Sequence, residues 1–227
     1  MTSPFVKAIE LLVSGDREVY FIVLTSLRIS AVSTVLAAGL SIPLGAWLGL
    51  ASGRVKRPIT AVLNSLMALP TVVIGLLVYS FISRSGPLGG MGLLFSPGAV
   101  IIGQVILAFP IVASMVYGGL SRLDPRLAET LVTLGAARKH MLWMVVREAR
   151  IAILLAVLAG FGRVIGEVGV SMMLGGNIRW YTRTITTAIA LETSKGEFEL
   201  GLALGLILML IAIGINFVLH WTVRHGD

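Results

Sequence analysis

Long apolar runs alternate with short polar breaks along the chain, and five of the runs reach the length of about 20 mostly apolar residues that a spanning helix needs. They fall at about 22–51, 58–83, 97–120, 151–175 and 200–222. A sixth apolar stretch, Thr184 to Leu191, is too short to cross, which predicts a surface or re-entrant segment. The first run is overlong and carries Gly39, Pro43 and Gly45 near its end, so tilt or a kink is expected there. Pro70 and Gly75 interrupt the second run and Pro110 the third; a Pro inside a helix frees a carbonyl and kinks the chain. The expected fold is all-α and integral to the membrane. No Pro-, Ser- or charge-rich linker divides it, so residues 1–227 read as one domain.

Residues 121–150, SRLDPRLAETLVTLGAARKHMLWMVVREAR, form a polar, basic island between the third and fourth runs. Asp124 can cap a helix that starts at Pro125, where the missing N–H costs nothing. Leu127, Leu131 and Leu134 then recur at helical spacing, and Gly135 can take the left-handed conformation that ends the helix. An apolar ridge on a segment too charged for lipid calls for a protein partner.

Composition agrees with the hydropathy. The chain is 56% hydrophobic and 13% charged, with mean hydropathy +0.95, whereas a soluble domain carries about 25% charged residues. It has no Cys, which excludes disulfides and thiolate chemistry, and His140, His220 and His225 lack metal-ligand spacing, so no metal site is expected. The basic pI near 10.4 is read as topology rather than nucleic-acid binding. With the N-terminus outside, Arg54, Lys56, Arg57, Arg122, Arg126, Arg138, Lys139, Arg147, Arg150 and Arg224 fall inside. Only Lys7, Arg17, Arg84, Arg179, Arg183 and Lys195 fall outside, the asymmetry expected of a membrane protein. Residues 1–21, which lack the features of a cleavable signal, become an external tail, 176–199 an external loop, and the island is cytoplasmic.

The fourth run holds Arg163 and Glu167 in its middle, four apart and therefore on one helix face. An intramembrane charge costs several kcal/mol unless paired or wetted. Two readings stay open: residues of a pathway, or a structural pair that neutralises itself. Arg28, near the outer end of the first run, reads as snorkelling to the interface. There is no G-x-x-x-x-G-K-[ST] and no H-E-x-x-H, so neither a nucleotide cradle nor a zinc enzyme is visible. The chain reads as a pore-forming subunit, not an enzyme, driven by a partner. An ATP-independent anion channel or secondary transporter is the competing class.

The island, with TLGAAR at 133–138, resembles the cytoplasmic coupling loop of permease subunits of ATP-binding-cassette importers. ALPTVVIGLL (68–77), FGRVIGEVGVSMMLGGN (161–177), YTRTITTAIALET (181–193) and KGEFELGLALG (195–205) resemble the molybdate, tungstate and sulfate branch of that family. The wording of GEVGVSMMLGGN and TTAIALETSKGEF is most like tungstate permeases, with molybdate or sulfate the alternative. The resemblance implies a type I importer permease of MetI-like fold in a prokaryotic inner membrane, working as a homodimer surrounded by lipid. It further implies two copies of a separate ATPase, which holds ATP and Mg, and an external oxyanion-binding protein; no cofactor belongs to this chain and no nucleic acid is involved. On this reading Asp124, Leu127, Glu129, Leu131, Leu134, Gly135 and Arg138 couple to the ATPase. Translocation or gating falls to Pro70, Thr71, Ser114, Arg163, Glu167, Ser171 and Asn177, and docking of the binding protein to Arg179, Arg183, Glu192, Lys195 and Glu197. Two places depart from the family loop: Ala128-Glu129-Thr130 stands for Glu-Ala-Ala, and Arg147-Glu148 for Leu-Pro. The lost Pro predicts a loop helix that runs into the fourth span with less of a break, as a stiffer lever.

Overall fold

The structure, a computed structural model, describes residues 4–51, 53–122, 133, 135 and 137–224. Among these it has ten α-helices and no strand: α1 Pro4–Val13, α2 Arg17–Leu50, α3 Gly53–Met67, α4 Thr71–Ile82, α5 Pro97–Leu120, α6 Arg138–Glu148, α7 Arg150–Ile165, α8 Gly169–Gly175, α9 Ile185–Lys195 and α10 Phe198–Arg224. Three of them, α2, α5 and α10, are long and apolar enough to cross a membrane alone, and the count reaches five if α3 with α4 and α7 with α8 each make one bent span.

Local chemistry sets the ends. The Asp16 carboxylate accepts the N–H groups of Glu18 and Val19 at 2.8 and 3.0 Å, which starts α2 five residues before the apolar run. The helix then passes Pro43 without a break. Ser96 caps α5 through Ala99 N–H, with Pro97 at the first position, where Pro is tolerated.

The core is the α2/α5 pair. Ile29 clusters with Val100, Ala37 with Ala108, and Gly49 lies against Leu120, so the two helices run side by side in the same direction. The contact is closed by small residues: a Cβ at Gly45 would come within 2.7 Å of Val116 Cγ1. Between helices in lipid there is little hydrophobic drive, and close packing with interhelical hydrogen bonds replaces it. Ser41 supplies such a bond, donating to Phe109 O at 2.9 Å. We call the Pro97 end outer, after the Lys/Arg bias.

α7 closes this core, Ala156 joining Ala46, Val112 and Val116. α10 stays at the edge with Met209, Leu210, Ile213 and Phe217 exposed, the surface that a lipid-facing helix presents.

Three expectations change. The second run is not one straight helix, because α3 and α4 meet at 96°, and Pro70 stands at the N-cap of α4 rather than inside a helix. The fourth run is likewise broken, by 62° between α7 and α8. The stretch from Thr184 to Leu191, expected at the surface or re-entrant, does not take the first of these placements: it forms most of α9, whose Ile185, Thr186, Thr187 and Ala188 are buried, against α2 and α10. A reciprocal cap between Thr184 and Thr187 lets so short a helix start inside the protein.

Candidate functional site

The break between α7 and α8 gathers the polar chemistry of the core. At Ile165 the helix stops, and carbonyls near its end lose their helical donors. Glu167, only 4% exposed, turns its carboxylate both ways: Oε1 accepts Val170 N–H at 3.2 Å, and Oε2 pairs with Arg163 Nη1 at 2.8 Å. One carboxylate thus caps α8 and neutralises the cation of α7. Two side chains absent from the sequence reading secure the carbonyls. Gln104 of α5 donates through Nε2 to Val164 O at 3.3 Å, and Thr186 of α9 donates through Oγ1 to Glu167 O at 2.8 Å. Both are buried. Gln104 carried a signal, as the one side-chain amide in the third apolar run; Thr186 stood in a segment read as surface or re-entrant.

Of the predicted gating residues, Thr71, Arg163, Glu167 and Ser171 come together. A Cβ built on Gly169 would lie 3.2 Å from Thr71 Oγ1 and 3.4 Å from Glu167 Oε1, so α4 begins against the start of α8. Ser171 is buried with its hydroxyl unpartnered, as is Oε1 of Gln104. Unpaired buried polar atoms are costly unless water or a second state satisfies them. Pro70 is exposed beside this group. Asn177 lies past the outer end of α8 at φ +50°, donating from Nδ2 to Thr187 O at 3.2 Å. Ser114 is not part of the cluster, since it lies about 15 Å further along α5 than Gln104 at 1.5 Å per residue.

Inward from the break, α7 is separated from α6 by Ala149 alone, and Ala149, Met141 and Val146 pack with the core at the inner ends of α2 and α5. Of the coupling residues, Gly135 has φ +70°, the left-handed conformation expected of it, and Arg138 opens α6. Asp124, Leu127, Glu129, Leu131 and Leu134 lie outside the described residues.

Outward, an ion network ties three elements. Glu18 of α2 binds Arg179 and Arg183, with Arg179 Nε at 2.9 Å and Arg183 Nη1 at 3.2 Å, while Glu192 of α9 lies 3.7 Å from Arg183 Nη1 and 3.2 Å from Lys195 Nζ. The hydrogen bond and charge of Glu18 raise the Arg179 pKa above its ordinary value. Arg183 and Glu192 are buried inside this network, which turns them away from any external partner; Arg179, Lys195 and Glu197 are exposed.

The described residues make a helical membrane protein with two sharply bent helix pairs about a close-packed core. The chain superposes on a chain of the inward-facing MetNI methionine ABC transporter with TM-score 0.74, covering 100% of each at 19% identity, a likeness of fold. It is 41% identical over 216 residues to the tungstate uptake system permease protein TupB of Peptoclostridium acidaminophilum, covering 95% of either chain. Against the molybdenum transport system permease protein ModB of Azotobacter vinelandii it is 30% identical, covering 72% of this chain and 76% of that one. Residues 41–226 match the family described as binding-protein-dependent transport system inner membrane component, and the chain belongs to that family.

Proposed function

We propose that this chain is the membrane-spanning subunit of an ATP-driven tungstate importer. Two copies form the pathway, a separate ATPase hydrolyses ATP at the cytoplasmic face, and an external binding protein delivers the anion. The observation that carries the substrate is the 41% identity to a tungstate permease over nearly the whole of both chains, against 30% over a smaller share for a molybdenum permease.

A divalent tetrahedral oxyanion loses its hydration at great cost in hydrocarbon, so the dimer has to open a polar cavity to one side at a time. Motion at the coupling segment enters α6 and reaches α7 through the single residue Ala149. It arrives at the break, where Glu167, Gln104 and Thr186 hold the start of α8 against α4, α5 and α9. In this reading the break is the pivot of the gate, and Thr71 and Ser171 border it. Arg163 and Glu167 orient the pivot. Docking of the binding protein falls to the exposed Arg179, Lys195 and Glu197, whose mixed charge suits reversible association.

The test is uptake of labelled tungstate into proteoliposomes holding this chain, its ATPase and its binding protein. Uptake that requires ATP, with excess tungstate competing better than excess molybdate, is the expected result. Accumulation without ATP or ATPase would overturn the reading in favour of a channel or secondary transporter.

A further inference from the structure

Beyond the gate, the outer face carries a second polar feature that the mechanism does not use. Between the outer end of α4 and the start of α5 lies an open cavity of about 530 Å³, lined among others by Tyr79, Ser83, Arg84, Ser85 and Phe95. The loop beside it depends on glycines. A Cβ at Gly86 would sit 2.3 Å from Ser80 O, and one at Gly89 2.4 Å from Ser83 O, so only glycine lets this loop fold down over the end of α4. Leu88 N–H fixes it there by donating to Phe81 O at 2.9 Å.

Much of the lining is apolar, with Ile82, Leu94 and Phe95, and its charged and hydroxyl groups are Arg84, Ser83, Ser85 and Tyr79. None of the ion pairs among the described residues involves Arg84, and no carboxylate lines the cavity. The Ser83 and Ser85 hydroxyls stand 3.4 Å apart, and Ser83 reaches Ser80 O only at 3.4 Å; bonds this long leave both groups free to turn toward a ligand. The opposite wall is strained and hung on the gate. Phe95 sits at φ +62°, a region that bulky residues rarely occupy, held by its N–H to Leu174 O at 2.9 Å and by its ring against Gly176. Leu174 belongs to α8, so a movement of α8 moves the wall of the cavity.

We propose that this cavity is an outer binding site for a tetrahedral oxyanion, held by the Arg84 guanidinium and the Ser83 and Ser85 hydroxyls, and reshaped when α8 moves. It rests on the reading of the chain as an oxyanion permease. One cation with neutral donors holds such an anion weakly enough to release it. The anion is either the free, transported species or the phosphate of a lipid headgroup, and the two are separable.

The experiment uses the full chain alone, in maltoside micelles stripped of phospholipid, and measures equilibrium binding of labelled sulfate and tungstate. Saturable binding that Arg84→Gln weakens by about tenfold or more, the loss of one charged hydrogen bond, and that Arg84→Lys largely keeps, supports the free anion. Absent anion binding, with phospholipid phosphorus retained on the wild-type chain but lost from Arg84→Gln purified without stripping, assigns the site to a headgroup. Arg84→Gln matching the wild-type chain in both measurements overturns the proposal. No ATPase is present, so that failure leaves ATP-driven tungstate uptake to be judged by its own assay.

Discussion

The chain turns by 96° between α3 and α4 and by 62° between α7 and α8, and the two turns are made by different means. At the first, Ala68, Leu69 and Pro70 are exposed, and Pro70 caps α4 without any side-chain hydrogen bond. Its φ of −61° is the value the ring imposes. The second turn, Gly166 to Val168, contains no Pro and is held by its own Glu167 and by side chains from two other helices, Gln104 of α5 and Thr186 of α9, all buried. A turn whose angle is held by close apolar packing on both sides has one arrangement. A turn held by hydrogen bonds of about 1 kcal/mol net each can exchange them, and the unpartnered Ser171 hydroxyl and Gln104 Oε1 beside it are groups that a second arrangement could satisfy. The second turn is accordingly the one we propose to move.

The largest effect should come from its charged member. Glu167→Ala strands the half-exposed Arg163 and removes the cap of α8 together; a lost hydrogen bond to a charged group costs about 1.5–3 kcal/mol, and uptake should fall by about tenfold or more. Because the residue shapes the pivot rather than selecting the anion, complexes that survive should retain the wild-type order of tungstate over molybdate. Intact complexes with a reversed order would move Glu167 from pivot to substrate contact.

A smaller loss is expected from the hydroxyl. Thr186→Val preserves shape and leaves Glu167 O without its donor, a cost of about 1–3 kcal/mol. If the bond is only structural, the thermal midpoint in detergent drops and ATP hydrolysed per anion stays fixed. If it belongs to the moving turn, that ratio rises, and this is the outcome expected. Thr186→Ser, which restores the donor, should return the ratio to wild type.

Hydropathy located the helices well, because length and apolarity are local: α5 matches its run at both ends, and α10 within two residues. It showed neither run as broken, although Pro70 marked a kink in the second. Apolar residues flank both turns, Ile165 and Val168 about Glu167 and Ala68 and Leu69 before Pro70, and what bends the chain there is packing or a partner from another helix. Gln104 and Thr186 come from sequence positions 60 and 19 residues from the carbonyls they serve. Gly135 was legible from one residue type, since a positive φ favours Gly in any context. The proposed docking set is a matter of charge and of fold. Its charges marked a polar segment, but only the fold brings Glu18 to Arg183 across 165 residues and turns Arg183 and Glu192 inward.

The smallest effect is predicted at the residue with the strongest signal in the sequence. Pro70 begins α4, its carbonyl accepts Val73 N–H at 3.0 Å and Ile74 N–H at 3.2 Å, and an Ala in its place would offer the same carbonyl. What Pro contributes is a chain with fewer unfolded conformations, about 0.4–1 kcal/mol. The angle itself is held from both sides, by Leu63 of α3 packed with Leu48 and Ala113 and by Gly75 of α4 against Val170 and Met173. Pro70→Ala should therefore lower the thermal midpoint slightly and leave tungstate uptake within about twofold. A loss as large as that of Glu167→Ala would mean that the exposed turn also changes during transport, and the contrast between a fixed and a moving break would fail.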